Sequence, residues 1–156
     1  KNAPAESDIP YPAAYTGVYL ERRRECGWQL YDAVGVKQGD RAGSAAQANE
    51  NFRLFGAPHV LIITSERDLG PYGAVDCGLY LGNLMNAATA LGIATIAQAA
   101  LARCTPFLRR RLRIPEHRMV VCGMSFGYAD EGHPANAFRT RRAGLGESAV
   151  FVGPGG

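Results

Sequence analysis

Residues 68–100 read DLGPYGAVDCGLYLGNLMNAATALGIATIAQAA, and their pattern decides the fold class. Gly70-Pro71-Tyr72-Gly73 reads as a turn, because Gly and Pro punctuate regular structure. From Ala74 to Leu91 small and apolar residues occupy almost every side of a helical period, with Asp76, Asn83, Asn86 and Thr89 as the strongly polar exceptions. A lone surface helix shows a wide polar face, so this one either runs through a core or packs against another subunit. Gly92 closes it, and IATIAQAAL (93–101) follows as a short strand entering an irregular turn.

Working outward, HVLIIT (59–64) is a continuous apolar and β-branched run between Pro58 and the charged Glu66-Arg67-Asp68. That is the pattern of a central strand buried on both faces. On the other side Thr105-Pro106 opens a helix, Thr as N-cap and Pro at the first position, and PFLRRRLRI ends before Pro115. RMVVCGMSFGYA (118–129) reads as a second strong strand and SAVFVG (148–153) as a short third. Two helices precede these elements. One spans Thr16 to Val34 with Thr16 as N-cap, and one spans Arg41 to Phe55, capped by Asp40 and stopped by Gly56 and Pro58. Residues 1–16, with Pro4, Pro10 and Pro12, read as an extended arm without a core, and 17–156 as one domain.

The 156 residues are 47% hydrophobic and 20% charged, the profile of a globular domain. At that length roughly 70% of the unfolded surface can be buried, so a core needs neither disulfides nor a metal. Cys26, Cys77, Cys104 and Cys122 form no CxxC and adjoin no histidine pair, which fits a reducing, cytoplasmic setting. No apolar run is long enough to span a membrane. KNAPAESDIPYP lacks the apolar stretch of a secretory signal, and Lys1 reads as a processing site or a fragment boundary. A net charge of +3 does not by itself imply a polyanion partner. Nine arginines against four acids over 103–156 make that third locally basic, and Arg rather than Lys suits bidentate contact with carboxylate or phosphate. Arg109, Arg110, Arg111 and Arg113 read first as a solvated helix end. No aromatic residues interleave with the arginines, which argues against nucleic acid.

Phosphate loops, GxGxxG turns, GxSxG elbows and HExxH helices are missing, so ATP hydrolysis, Rossmann chemistry and zinc proteolysis lose support. His59, His117 and His133 read as structural, and Cys122 as a small hydrophobe in a buried strand. Two features remain. The turn Ala97-Gln98-Ala99-Ala100 has small side chains that let a planar ligand reach backbone amides. Arg139-Thr140-Arg141-Arg142, after the loop at His133-Pro134, could clamp a phosphate. Alone, the first is a weak signal and the second reads as solvated charge.

Their order changes the reading. NFRLFGAPHVLIIT (51–64), residues 68–100, RIPEHRMVVCGMSFGYAD (113–130) and NAFRTRRA (136–143) together resemble the FMN-dependent nitroreductase family, over about Tyr15 to Val152. The resemblance implies an α+β fold, a mixed sheet flanked by helices in an interlocked homodimer, with FMN at the subunit interface. It implies that helix 74–91 is interface core and that the C-terminal strand reaches over the partner. By position, Ala97, Gln98, Ala99 and Ala100 would line the isoalloxazine ring, with the Ala100 amide near N5. Arg53 would approach the N1/O2 edge, Arg142 with Arg139 would bind the ribityl phosphate, and Asn51 would be a further contact. No metal and no catalytic dyad is implied, because the cofactor carries the reactivity.

The family normally begins with an Arg-Ser-x-Arg phosphate-binding segment and a Ser/Asn loop ending near Pro-Trp, and neither precedes the Pro-rich arm here. The sequence therefore reads as a fragment, a proteolysed product or a shortened paralogue. Two functions are expected in consequence. The first is an oxidoreductase passing electrons from NAD(P)H to nitroaromatic, quinone or related acceptors. The alternative is a flavin-free dimeric or ligand-binding module that keeps the fold without turnover.

Overall fold

The computed structural model describes residues 6–153; Lys1 and Pro4 of the expected arm lie outside them. Two compact units are present, residues 6–14 with 39–130 and residues 15–38 with 131–153.

The first unit is built on a three-stranded sheet of order β1-β3-β2: β1 His59–Glu66, β2 Ala94–Gln98 and β3 Arg118–Gly127. Both pairings are antiparallel, so the sheet is antiparallel among the described strands rather than mixed. HVLIIT therefore lies on an edge and RMVVCGMSFG in the middle, which corrects the expected central position of 59–64. A continuous apolar run reports strand propensity and burial, not how many neighbours the strand has. The middle strand holds the tightest packing, with Val120, Met124 and Ser125 almost fully enclosed. Register runs from His59 opposite Phe126 to Ile63 opposite Cys122, then slips so that Thr64 faces Val120. The extra residue is a bulge that breaks strict alternation, and Val121 and Cys122 both join the cluster around Leu81. At the strand ends Arg118 faces Glu66 directly and donates to its carboxylate at 2.8 Å.

Two helices flank this sheet. Helix α3, Gly70–Ala90, begins four residues before the expected start, since Pro71 needs no N–H partner in a first helical turn and the 70–73 turn is its opening. Gly73, Leu81 and Ala88 form a narrow buried stripe, and Leu81 meets Cys122 and Met124. Tyr72, Val75, Leu79 and Tyr80 stay exposed in the single chain. Helix α4, Thr105–Leu112, starts one residue earlier than expected: Thr105 is already helical and donates to the Ala102 carbonyl at 2.7 Å instead of capping.

Helix α2, Arg41–Asn49, is capped as expected, Asp40 accepting from the Gly43 N–H at 2.8 Å. The helix expected to run to Phe55 breaks, and a 3-10 turn covers Glu50–Gly56. Leu54 (φ 59°) and Phe55 (φ 51°) both take the left-handed conformation there, which disfavours a continued helix.

In the second unit, helix α1, Gly17–Ala33, follows Thr16 as expected, although the Thr16 side chain makes no capping bond. Trp28 and Tyr31 meet edge to face at 5.8 Å. Arg22 pairs with Glu147 at 3.2 Å and Arg141 with Glu25 at 3.3 Å, tying the C-terminal segment to α1. The expected strand 148–153 does not form. Ser148 ends a short helix, α5 Leu145–Ser148, and residues 149–153 are irregular. A short apolar run becomes a strand only against a neighbour that satisfies its backbone groups.

Candidate functional site

At the end of β2 Gln98 is buried while Ala97 and Ala99 on either side are exposed; Ala100 is half-buried. Residues Ala99–Arg103 form a 3-10 turn whose Leu101 and Ala102 enter the core. The segment 97–100 is thus held from within by buried side chains and presents only small side chains of its own on its exposed side. Gln98 Nε2 donates to the Asn51 carbonyl at 2.9 Å and to Asn51 Oδ1 at 3.3 Å, while Asn51 Nδ2 donates to the Ala48 carbonyl at 3.0 Å. Gln98 Oε1 is buried without a hydrogen-bond partner, a state that usually costs about 1–3 kcal/mol. This pair joins two stretches 47 residues apart.

Arg53 lies in the same 3-10 turn as Asn51, Glu50–Gly56, just before the left-handed Leu54 and Phe55. It is 77% exposed, and its ion pair with Glu50 is long at 3.7 Å. Consecutive left-handed, non-glycine residues cost of order 1–3 kcal/mol each, and such strain gathers at ligand sites. Asn51, Arg53 and Ala97 to Ala100 belong to the first unit. Arg139 and Arg142 belong to the second, both exposed. Arg139 Nη1 donates to the Asn136 and Phe138 carbonyls at 2.9 and 2.8 Å, and Arg142 Nη1 to Thr140 Oγ1.

The arm contributes residues that the sequence did not reveal. Its described part is no free extension: Glu6 N donates to the Arg103 carbonyl at 3.1 Å in a parallel bridge beside Cys104. Asp8 is largely enclosed and accepts from Arg67 Nη2 at 2.7 Å, Arg109 Nη2 at 2.7 Å and the Val120 N–H at 2.8 Å. Burial pushes its carboxyl up, but the Arg67 hydrogen bond, the Val120 N–H and the charges of Arg109 and Arg67 outweigh it. The net pKa lies below the ordinary carboxylate value. Arg109 also donates to the Pro115 and Arg118 carbonyls, so this member of the arginine run is an internal anchor and not a solvated helix end. Tyr11 donates its hydroxyl to the Ala99 carbonyl, and the Arg103 guanidinium lies 5.9 Å from its ring centre. No local pattern marks Asp8 or Tyr11, since their partners are 59 to 112 positions away.

Among the described residues no helix is long and apolar enough to cross a membrane. His59 stacks on Phe126 at 5.2 Å, a packing contact between β1 and β3.

The nitroreductase family model matches residues 12–128. Nitroreductase NfnB of Mycolicibacterium smegmatis is 37% identical over 145 residues, 92% of this chain and 62% of that protein. The 4-nitrobenzoate reductase of Pseudomonas putida is 37% identical over 124 residues, 80% of this chain and 55% of that protein. The chain therefore spans less than two thirds of the length of these curated relatives. Among solved structures, the FMN-dependent nitroreductase NfnB from Mycobacterium smegmatis in complex with NADPH superposes with a TM-score of 0.89 at 36% identity, covering 95% of this chain and 67% of that one.

Proposed function

The chain belongs to the nitroreductase family, and on that premise we propose that it is an FMN-dependent oxidoreductase carrying electrons from NAD(P)H to nitroaromatic, quinone or related acceptors. The observation that carries the reading is the alanine-lined segment at 97–100, braced from within by Gln98 and Asn51, with the small side chains of Ala97 and Ala99 on its exposed side. The residues present fit FMN. A buried, unpartnered Gln98 Oε1 and the amide of Asn51 suit a ring edge that both donates and accepts. Exposed arginines at 53, 139 and 142 suit an anionic group.

Bound FMN supplies the redox chemistry, and the two substrates meet it in alternation at one face. The chain's own residues position and polarise. Ala97, Gln98, Ala99 and Ala100 would line the ring, with the Ala100 N–H as the donor near N5. Arg53 would place positive charge at the N1/O2 edge, where a cation is worth most once water is excluded. Asn51 fixes Gln98 and would offer its own amide to the ring. Arg142 with Arg139 would hold the phosphate. A second copy of the chain completes the cleft, and four thiols without disulfides suit the reducing cytoplasm.

The test is reconstitution of the purified chain with FMN, followed by its visible spectrum, bleaching by NADPH and NADH, and turnover of 4-nitrobenzoate and a quinone. Bound flavin that bleaches and is reoxidised by acceptor is the expected result. A colourless protein that takes up no FMN would favour the flavin-free module instead.

A further inference from the structure

We propose that Tyr11 is a positioning residue for the flavin turn: by holding the Ala99 carbonyl it sets the direction and strength of the Ala100 N–H. The inference rests on the FMN reading given above, but the brace itself is a property of the chain alone.

A peptide unit is planar, and its C=O and N–H point opposite ways from one rigid plate. The Ala99 carbonyl and the Ala100 N–H belong to the same plate. The Tyr11 hydroxyl donates to that carbonyl from a segment 88 positions away. Rotation of the plate about its flanking bonds, which would swing the N–H away from a ligand, must therefore break this bond. A hydrogen bond accepted at the carbonyl also polarises the amide, so the opposite N–H becomes a stronger donor, by about 10–30% in condensed phase. Both effects act on the one amide that the resemblance places beside N5.

The donor is itself held. Pro10 and Pro12 on either side restrict the backbone at Tyr11. Arg103 covers its ring at 5.9 Å. Three residues earlier Asp8 is locked by Arg67, Arg109 and the Val120 N–H. The turn lies between two independent fixings: Asn51 and Gln98 secure its interior side chain, and Tyr11 secures its outward backbone. The Pro-flanked segment becomes the strut of the ring-facing amide.

Two measurements on the full chain test this, with Tyr11→Phe, which keeps the ring, and Tyr11→Ala beside it. Amide hydrogen exchange on the flavin-free protein should rise roughly 2- to 10-fold in the Ala99–Arg103 turn in Tyr11→Phe, read at the Cys104 N–H that donates to the Leu101 carbonyl, the equivalent of one ordinary hydrogen bond, with helix α3 and the sheet unchanged. FMN titration should show affinity weakened by a similar factor, and the midpoint potential of the bound flavin should fall, because a weaker donor disfavours the electron-rich ring. Unchanged exchange, affinity and potential in Tyr11→Phe, with flavin bound normally by the parent chain, would overturn the brace and leave the FMN reading intact. A uniform rise in exchange across the sheet would also overturn it, as a general loss of stability. Failure of the parent chain to bind FMN would refute the flavin reading and with it the role of the Ala100 amide; a local exchange change in the Ala99–Arg103 turn would then report the strut alone.

Discussion

Asp8 is one carboxylate set against two guanidinium groups and a backbone N–H, and its environment has a definite pH signature. Its pKa in the fold lies below the unfolded value of about 3.9. The stability it contributes is therefore complete above that value and is lost as pH falls through the folded pKa. Asp8→Asn leaves the enclosed Arg109 only its long 3.8 Å pairing with the exposed Glu116. Breaking a buried pair costs about 3–5 kcal/mol, and the lower figure applies because Arg67 is nearly half exposed and can rehydrate. Thermal melts at pH 7 should place the variant roughly 6–12 °C below the parent. The gap should hold between pH 7 and 5, begin to narrow below about pH 4, where the unfolded carboxylate protonates, and close only as pH falls through the lower folded value. A gap that stays constant down to the lowest pH at which the parent is folded would show that packing, not charge, holds the arm. This residue was invisible in the sequence for a physical reason. Asp40 could be read as a cap because its acceptor lies three positions from the Gly43 donor, whereas Asp8 and Arg109 are brought together only by the finished sheet. Within RRRLR nothing local separates Arg109 from Arg110 and Arg111.

Elements were legible where one periodicity ruled and illegible where a neighbour decided. The runs at 59–66 and 118–127, the helix ending at Gly92 and the turn after Gln98 all follow from residue pattern. The edge position of β1, the break of α2 at Asn49 and the absent strand at 148–153 depend on pairing and backbone strain that a pattern does not carry. Contact between α3 and β1 shows how close the packing is. A Cβ on Gly73 would lie 2.1 Å from Ser65 Oγ and 3.0 Å from Leu69 Cβ, and Ser65 is itself buried. Gly73→Ala should push α3 off the sheet at its first turn, at a cost of about 1–3 kcal/mol. Gly27, inside α1, has nothing within 4 Å of such a Cβ. Gly27→Ala should stabilise its helix by roughly 0.5–1 kcal/mol, because glycine gives up more chain entropy there. Urea midpoints moving in opposite directions at constant m would confirm that the first substitution acts through the α3–β1 contact and the second through the unfolded chain. The same close fit recurs on β3, where a Cβ on Gly123 would lie 2.4 Å from Leu101 Cδ1 and 3.2 Å from Leu101 Cβ. The floor of the turn after β2 is therefore packed closely against the middle strand.

At the scale of the molecule the decisive surface is the outer side of α3. Tyr72, Val75, Leu79 and Tyr80 are 57–80% exposed on a helix whose buried stripe is only three residues wide. A hollow of about 400 Å³ lined by Ile62, Ile63, Thr64, Asp76, Cys77 and Tyr80 lies beside them. Contiguous apolar surface of this kind marks an association site. Sequence pattern announced that the helix needed cover but not what supplies it, because the covering atoms belong to no part of this chain's first unit. We take the cover to be a second copy, placing α3 against its symmetry mate so that the same patch serves both subunits. Leu79→Glu then puts one carboxylate on each side of the joint, and burying an unpaired charge costs several kcal/mol per ion. Light scattering should report twice the chain mass for the parent and a single chain mass for the variant at micromolar concentration. If the cleft is shared between subunits, FMN should stabilise the parent by about 2.7 kcal/mol at a hundredfold excess over its Kd and should leave the Leu79→Glu monomer unshifted. A parent that is already monomeric yet gains the full flavin stabilisation would place the whole site within one subunit and remove the dimer from the mechanism.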